Sequence, residues 1–227
     1  MHFNLDEQEQ LAELKAWWKQ YGKWLIAILI LILLSYSSYT SWNWWQNRSS
    51  VAASKLYDTL LISAQKQDVP GVLRASKDLQ DQYSSTSYAG MAGLVAAQIA
   101  NSSGDMGAAE QQLRWTMSKA SSDAHRDVAR ARLVSLLIDK PDFADAEKVA
   151  GASVSKAFEP LLLERRGDVQ LAQQKTVEAR QFYQQAWDKL AKNPDAADES
   201  KRLLKVKLDA VGAVSYTHLR AHETPEH

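Results

Sequence analysis

The sequence predicts an all-α protein: a single N-terminal transmembrane helix followed by a stack of helical pairs. Three observations carry this. No charge interrupts the chain between Lys23 and Arg48, and the centre of that stretch is solidly apolar. Beyond it a short motif ending in alanine recurs, at Ala75, Ala109, Ala146 and Ala179, spaced 34, 37 and 33 residues apart. No run of alternating apolar and polar residues long enough for a strand breaks the helical periodicity.

The first element is a head, residues 1–22. Asn4 followed by Glu7 has the spacing of a capping box, in which the Asn side chain accepts from an orphan N–H at a helix start. Leu11, Leu14, Trp18 and Tyr21 then recur at helical spacing, predicting a short amphipathic helix. Such a helix lies at the membrane surface with its Trp/Leu side among the headgroups. A sharper reading makes Asp6–Glu13 a docking patch for a cytosolic partner.

The second element is the span, residues 23–45, KWLIAILILILLSYSSYTSWNWW. From Leu25 to Leu34 it holds nine Leu/Ile and one Ala. At about 1.5 Å per residue it reaches roughly 34 Å, enough for a hydrocarbon core of about 30 Å. The Leu/Ile run contributes about −3 to −5 kcal/mol to insertion and offsets the hydroxyl-rich exit half Ser35–Ser41. Trp17, Trp18 and Trp24 before it, and Trp42, Trp44 and Trp45 at its end, form two aromatic belts facing the lipid bilayer's interfaces. A cleaved signal peptide is the competing reading, with Ser35-Tyr36-Ser37 as its small-x-small site. The long head with Asp6, Glu7, Glu9 and Glu13 is unlike a short basic n-region and argues against it. Lys15, Lys19 and Lys23 before the span, against Arg48 and Lys55 after it, place the head in the cytoplasm by the positive-inside rule. Ser37 and Ser41 lie one turn apart, an arrangement that lets another transmembrane helix approach closely. The alternative is that these hydroxyls bond their own i−4 carbonyls.

The third element, residues 46–213, carries the repeats. Its period is that of tetratricopeptide-like pairs, near 34 residues. In each pair a tight turn precedes the second helix, a small residue in that helix admits the first, and a larger residue one turn on fills the groove. Those later positions are Leu79, Leu113, Ala150 and Tyr183. The fourth unit is clearest, with Gly167 twelve residues before Ala179 and Phe182-Tyr183 and Ala186 after it; Ala97 and Val134 stand where other units would have that glycine. Helices are expected at 47–67, 71–83, 88–101, 105–119, 123–139, 143–149, 157–173, 176–191 and 195–211. Asp123, Asp142 and Asp195 serve as helix starters. The last helix caps the stack, offering Leu203, Leu204, Val206, Leu208 and Val211 inward and turning Lys201, Arg202, Lys205 and Lys207 outward.

After it the helical pattern is expected to collapse. Val214–Thr224, VSYTHLRAHET, resembles the translation of a sequencing-library transposase adapter, so residues 214–227 are set aside as an artefact. The His218/His222 pair, whose spacing could span a metal on a helix, is rejected with them. His125, at a helix start among Asp123, Arg126 and Asp127, reads as a surface residue.

Composition limits the chemistry. Residues 49–213 carry 22 Lys/Arg against 21 Asp/Glu, a net charge of +1, so no basic face points to nucleic acid. The 227 residues include no Cys, which removes disulfides, thiolate nucleophiles and cysteine metal sites. No Gly-rich phosphate loop, nucleophile elbow or His-Glu-x-x-His motif is present, and Asp198/Glu199 sit on a polar face. Neither an enzyme nor a cofactor or metal site is expected. Stacked helical pairs instead present extended surfaces that bind segments of other proteins.

The stretch EQEQLAELKAWWKQYGKWL resembles the amino-terminal signature of the ancillary SecYEG translocon subunit family of Gram-negative bacteria. The matching positions are Glu9-Gln10-Leu11, Lys15, Trp17-Trp18-Lys19 and Gly22, followed by the span and the helical repeats. The resemblance implies a single-pass inner-membrane protein with its C-terminal domain in the periplasm. Its implied partners are the SecYEG translocon and membrane-anchored periplasmic chaperones that receive emerging chains. Ser37 and Ser41 in the span, and Trp17 and Trp18 before it, are the candidate protein-binding residues. Two alternatives stay open: a negative regulator of an envelope stress pathway, restraining a cytoplasmic response regulator through its head, or an assembly factor for another envelope complex.

Overall fold

The computed structural model describes residues 5–194 and 196–221, with side-chain surroundings for 11, 13–41, 48–194 and 196–212. Asn4, Asp195 and the side chains of Trp42, Trp44, Trp45 and His218, together with His222, lie outside the described residues. The described elements are helical, with no strand among them. The chain divides into two compact units between Val51 and Ala52.

Helix α1 runs from Leu5 to Gln65 without interruption. Within it, Glu13–Ser41 is long and apolar enough to cross a membrane. Every side chain from Lys23 to Ser41 is exposed. A helix that is apolar all round and covered by no protein is matched to lipid rather than water.

The second unit contains the end of α1 and the helices α2 (Val69–Gln82), α3 (Ser87–Ser102), α4 (Met106–Lys119), α5 (Asp123–Asp139), α6 (Phe143–Ala150), α7 (Glu159–Ala172), α8 (Thr176–Ala191) and α9 (Asp198–Ala221). Consecutive helices pack as pairs, and α3, α5 and α7 also touch one another in sequence, the arrangement of a repeat stack. Three apolar clusters fill it. Ala53 and Leu60 of α1 meet Val72 and Leu79 of α2 and Ala89, Ala92 and Ala96 of α3. Leu113, Leu133, Val134, Leu137, Val149 and Val169 centre the second cluster, and Leu163, Tyr183, Leu204 and Val211 the third.

All four repeat alanines, Ala75, Ala109, Ala146 and Ala179, are buried, as are Leu79, Leu113, Ala150 and Tyr183 one turn on. The reason for a missing side chain is sharpest at Gly167: a Cβ there would meet the Tyr183 ring, with Cδ1 at 2.5 Å and Cζ at 3.0 Å and Cε1 nearer still.

The turns inside the four pairs share one geometry. Asp68, Asp105, Asp142 and Lys175 donate their backbone N–H to the carbonyls of Ser63, Ala100, Leu137 and Gln170 at 2.9–3.0 Å. These 6→1 bonds are Schellman closures of the preceding helix. They place Gln67, Gly104 and Gln174 in the left-handed region, at φ 55°, 87° and 64°. Three of the closing residues then cap the next helix. Asp68 accepts from Gly71 N at 3.1 Å, Asp105 from Ala108 N at 2.9 Å and Asp142 from Asp145 N at 3.3 Å. One residue thus ends a helix with its N–H and starts the next with its carboxylate. Lys175 has no carboxylate and makes no such cap.

Asp123 opens α5 as its first helical residue, as expected, with Ser122 at the cap position. Three expectations need correction. The capping helix is rotated from the expected register. Leu204, Leu208 and Val211 face the stack, Leu203 and Val206 are 54% and 61% exposed, and Lys207 turns inward. Residues 204, 208 and 211 form one stripe at helical spacing, which 203 and 206 cannot share. Second, α9 does not stop at Val211 but runs to Ala221. Residues 213–221 hold no Gly or Pro, and extending an existing helix adds one hydrogen bond per residue fixed. Finally, His125 is half-buried, its imidazole lying over Gly90 of α3, where a Cβ would come 2.8 Å from Nδ1.

Candidate functional site

On the first unit, the predicted binding residues separate into two places. Trp17 and Trp18 are both exposed on α1. The Trp17 ring contacts Tyr21 at 5.9 Å between centroids, and the Trp18 ring lies over Gly22, where a Cβ would meet it at 3.1 Å. Both contacts are one turn long, as helix spacing requires. Ser37 and Ser41 also lie one turn apart and are exposed. Ser37 is 19 residues beyond Trp18 on the same helix, about 28 Å away, so the two pairs are distinct surfaces. Self-bonding occurs at neighbouring positions: Ser35 Oγ donates to Leu31 O and Thr40 Oγ1 to Tyr36 O, both at 2.9 Å. Neither Ser37 nor Ser41 makes such a bond among the described residues.

On the second unit, a cleft of ≈380 Å³ opens between α3 and α5, with α4 beneath. Its floor is Ala97, Ala109, Leu113 and Leu136, all buried. Gln98 and Asn101 rise from α3, and Arg132 and Asp139 from α5, all four exposed. Small residues are placed here by the repeat itself, since Ala97 and Ala109 are the positions where the two helices of a pair approach. Arg132 donates one bond, from Nη1 to Leu94 O at 3.3 Å. The sequence did not reveal this cleft. Its signal was available only in part, as polar residues at i, i+3 and i, i+7 on two helices that nothing in the sequence sets side by side.

Several polar groups elsewhere on this unit are matched within the chain, whereas buried His125 Nδ1, Arg130 Nε and Arg165 Nε have no hydrogen-bond partner among the described residues. Glu110 accepts from Lys140 and from Arg114, and Arg114 also reaches Asp145, joining α4, α5 and α6. The Lys140 bond, then the Arg114 bond, hold the Glu110 carboxyl below its ordinary pKa. The Asp145 bond, chiefly, raises Arg114. Glu147 accepts from Gln173 at 2.7 Å and Gln170 at 3.0 Å, and these bonds lower its pKa. Asp127, buried in α5, accepts from Ser155 N at 3.1 Å and Ser155 Oγ at 2.6 Å, tying down the loop after α6. Between α2 and α4, buried Ser76 and Gln80 both donate to Gln112 Oε1, at 2.9 and 2.6 Å.

The most connected group fastens the cap. Lys207 of α9 donates to Glu164 Oε1 at 2.6 Å and to Asp168 Oδ1 and Oδ2 at 2.7 and 2.9 Å. Asp168 also accepts from Arg165 Nη1 at 2.5 Å and from the Tyr183 hydroxyl at 2.8 Å. Burial, then the Asp168 charge, push the Tyr183 phenol well above its ordinary pKa. Among the described residues no group of three or more His, Asp or Glu side chains is placed to hold a metal ion.

A family model described as a tetratricopeptide repeat-like domain matches residues 15–213. Three relatives are each named Ancillary SecYEG translocon subunit. The one from Neisseria gonorrhoeae is 32% identical, over 93% of this chain and 100% of its own length. That from Haemophilus influenzae is 25% identical over 82% of this chain and 91% of its own. That from Aggregatibacter actinomycetemcomitans is 26% identical over 92% and 99%.

Proposed function

The chain belongs to the ancillary SecYEG translocon subunit family, built on a tetratricopeptide repeat-like domain, and from that premise we propose that it is a single-pass scaffold of the bacterial inner membrane that associates with the SecYEG translocon. The observation that carries this is similarity along the full length of relatives named for the translocon, including the apolar N-terminal helix. In this reading residues 1–22 form a cytoplasmic head, 23–45 the membrane span and 46–213 a periplasmic repeat domain, with 214–227 outside the functional chain. The Lys-rich approach to the span supports that orientation. The span anchors the stack beside the translocon exit, and Ser37 and Ser41, which make no self-bond among the described residues, admit a partner helix. Trp17 and Trp18 fix the head at the interface and offer a second contact. The repeat domain receives membrane-anchored chaperones and emerging chains on its exposed surfaces. Glu110, Arg114, Lys140, Asp145, Glu164, Asp168 and Lys207 are joined in pairs that fasten helix to helix, which supports a scaffold.

Detergent extraction followed by native-gel co-purification and mass spectrometry tests the reading. Translocon subunits and a membrane-anchored chaperone are expected with the full chain. Recovery of a cytoplasmic response regulator without translocon subunits would replace the scaffold with the regulatory role. An alkaline-phosphatase reporter fused after Val211 should be active in intact cells; an inactive fusion reverses the orientation.

A further inference from the structure

We propose that the outer face of α9 is a self-association surface, on which a second copy of this chain packs its own α9 antiparallel about a two-fold axis. Such a pair goes beyond the scaffold reading and needs no translocon. A repeat stack ends on a helix whose outer face is normally polar, because nothing further covers it. Here α9 closes the stack through Leu204, Leu208 and Val211, yet Leu203 and Val206 are exposed on its other side. Elsewhere on the second unit, among the described residues, exposed large apolar side chains are isolated or, like Leu61 and Ile62, are chain neighbours that point in different directions. Leu203 and Val206 lie one turn apart on one stripe.

That stripe has the spacing of a coiled-coil seam, and its charges select the pairing. Glu199, Leu203, Val206 and Ala210 are all exposed and recur at steps of four, three and four. Arg202 and Asp209 immediately precede Leu203 and Ala210, at the flanking positions where interhelical ion pairs form. With two α9 helices antiparallel, each Leu203 meets the partner's Val206 and each Glu199 the partner's Ala210. The same register sets each Arg202 beside the partner's Asp209. One stripe thus carries both halves of its own complement, as a two-fold interface requires. A parallel pair would instead bring Arg202 beside the partner's Lys207, like charge against like. Within its own chain Arg202 bonds Glu199 at the surface, and an exposed bond of that kind is exchanged at little cost. The seam from Glu199 to Ala210 is about 17 Å long, too short to bury the roughly 1,200 Å² of a stable standard interface. The pair is therefore weak in free solution and suited to anchored chains, whose effective concentration in one bilayer is high.

The chain contains no Cys, so introduced thiols report the geometry directly. Two differently tagged full-length chains, one Glu199→Cys and the other Ala210→Cys, are co-expressed, and their membranes are oxidised with copper phenanthroline. A disulfide joining the two tags is expected, because these positions face each other across the seam. Either variant expressed alone should give little, since like positions lie about 17 Å apart along the helices and a disulfide bridges Cα atoms no more than about 7 Å apart. Adding Arg202→Asp to both chains should lower the mixed dimer about tenfold, and adding Asp209→Arg as well should restore it. All four altered positions are exposed, and an unchanged circular-dichroism melt in detergent verifies each fold. The absence of a mixed disulfide, strong dimers from either variant alone, indifference to the charge reversals, or a cross-link only to a different protein overturns the pairing. Recovery of SecYEG by the wild-type chain is scored separately. Its absence defeats the scaffold reading and leaves the cross-link to decide the dimer.

Discussion

Substituting Gly167 by alanine should destabilise the repeat domain, although alanine is the better helix former. In an exposed helix the exchange gains about 1 kcal/mol. At Gly167 the new methyl would lie 2.5 Å from Tyr183 Cδ1 and 3.0 Å from Cζ. The ring has nowhere to go. Tyr183 is fully buried, and its hydroxyl is held by Asp168 at 2.8 Å. Overpacking against so fixed a group costs about 2–3 kcal/mol, leaving a net loss of about 1–2 kcal/mol and a melting temperature roughly 3–6 °C lower for a domain of this size. The assay is thermal circular dichroism of residues 49–213, wild type and Gly167→Ala, each also carrying Tyr183→Leu. With the ring gone the same exchange should stabilise by about 1 kcal/mol, so the cycle gives a coupling of about 2–3 kcal/mol with reversal of sign. A melting temperature that rises on Gly167→Ala in the wild-type background would show that the helices of the fourth pair do not meet there.

Gln174→Gly should stabilise the domain by about 0.5–1 kcal/mol, because it relieves a left-handed backbone that only glycine adopts freely; a lower denaturation midpoint would contradict the Schellman geometry of that turn. Tyr183 stays protonated in the folded state above the ordinary tyrosine pKa of 10.0, so stability should fall as pH rises past that value, and Tyr183→Phe should flatten this alkaline limb in urea titrations. For Glu110 the sign is opposite. Its folded pKa is depressed, so its contribution is present above the ordinary 4.5 and is lost as pH falls through the folded value; Glu110→Gln should shrink the acid limb of the same titration. Truncation after Ala213 should leave the melt unchanged, since Leu204 and Val211, the buried anchors of α9, are retained; a drop would show that the end of α9 belongs to the fold.

The local rules of the chain were legible without a structure. An uncharged run of nine Leu/Ile and one Ala has one stable environment, and a small residue recurring near every 34 positions fixes where helices must approach. Ala75, Ala109, Ala146 and Ala179 are buried for that reason. The bounds of α5 and the end of α8 followed from their flanking breaks, because Ser, Pro and Asn clusters stop a helix whatever surrounds it. Rotation about a helix axis was not legible where more than one apolar stripe exists. In α9 both 203/206 and 204/208/211 are apolar at helical spacing. Only the neighbouring Asp168 and Glu164, which draw Lys207 inward, decide between them. The Schellman turns escaped notice because Gln67 and Gln174 do not announce a left-handed backbone as glycine does. The cleft was hidden for a different reason. Its rim comes from α3 and α5, with 30 residues from Asn101 to Arg132 lying between them, and periodicity within one helix cannot show which face of another it will meet. Sequence determines what each helix must bury; the packing of pair on pair decides which polar groups find partners across helices.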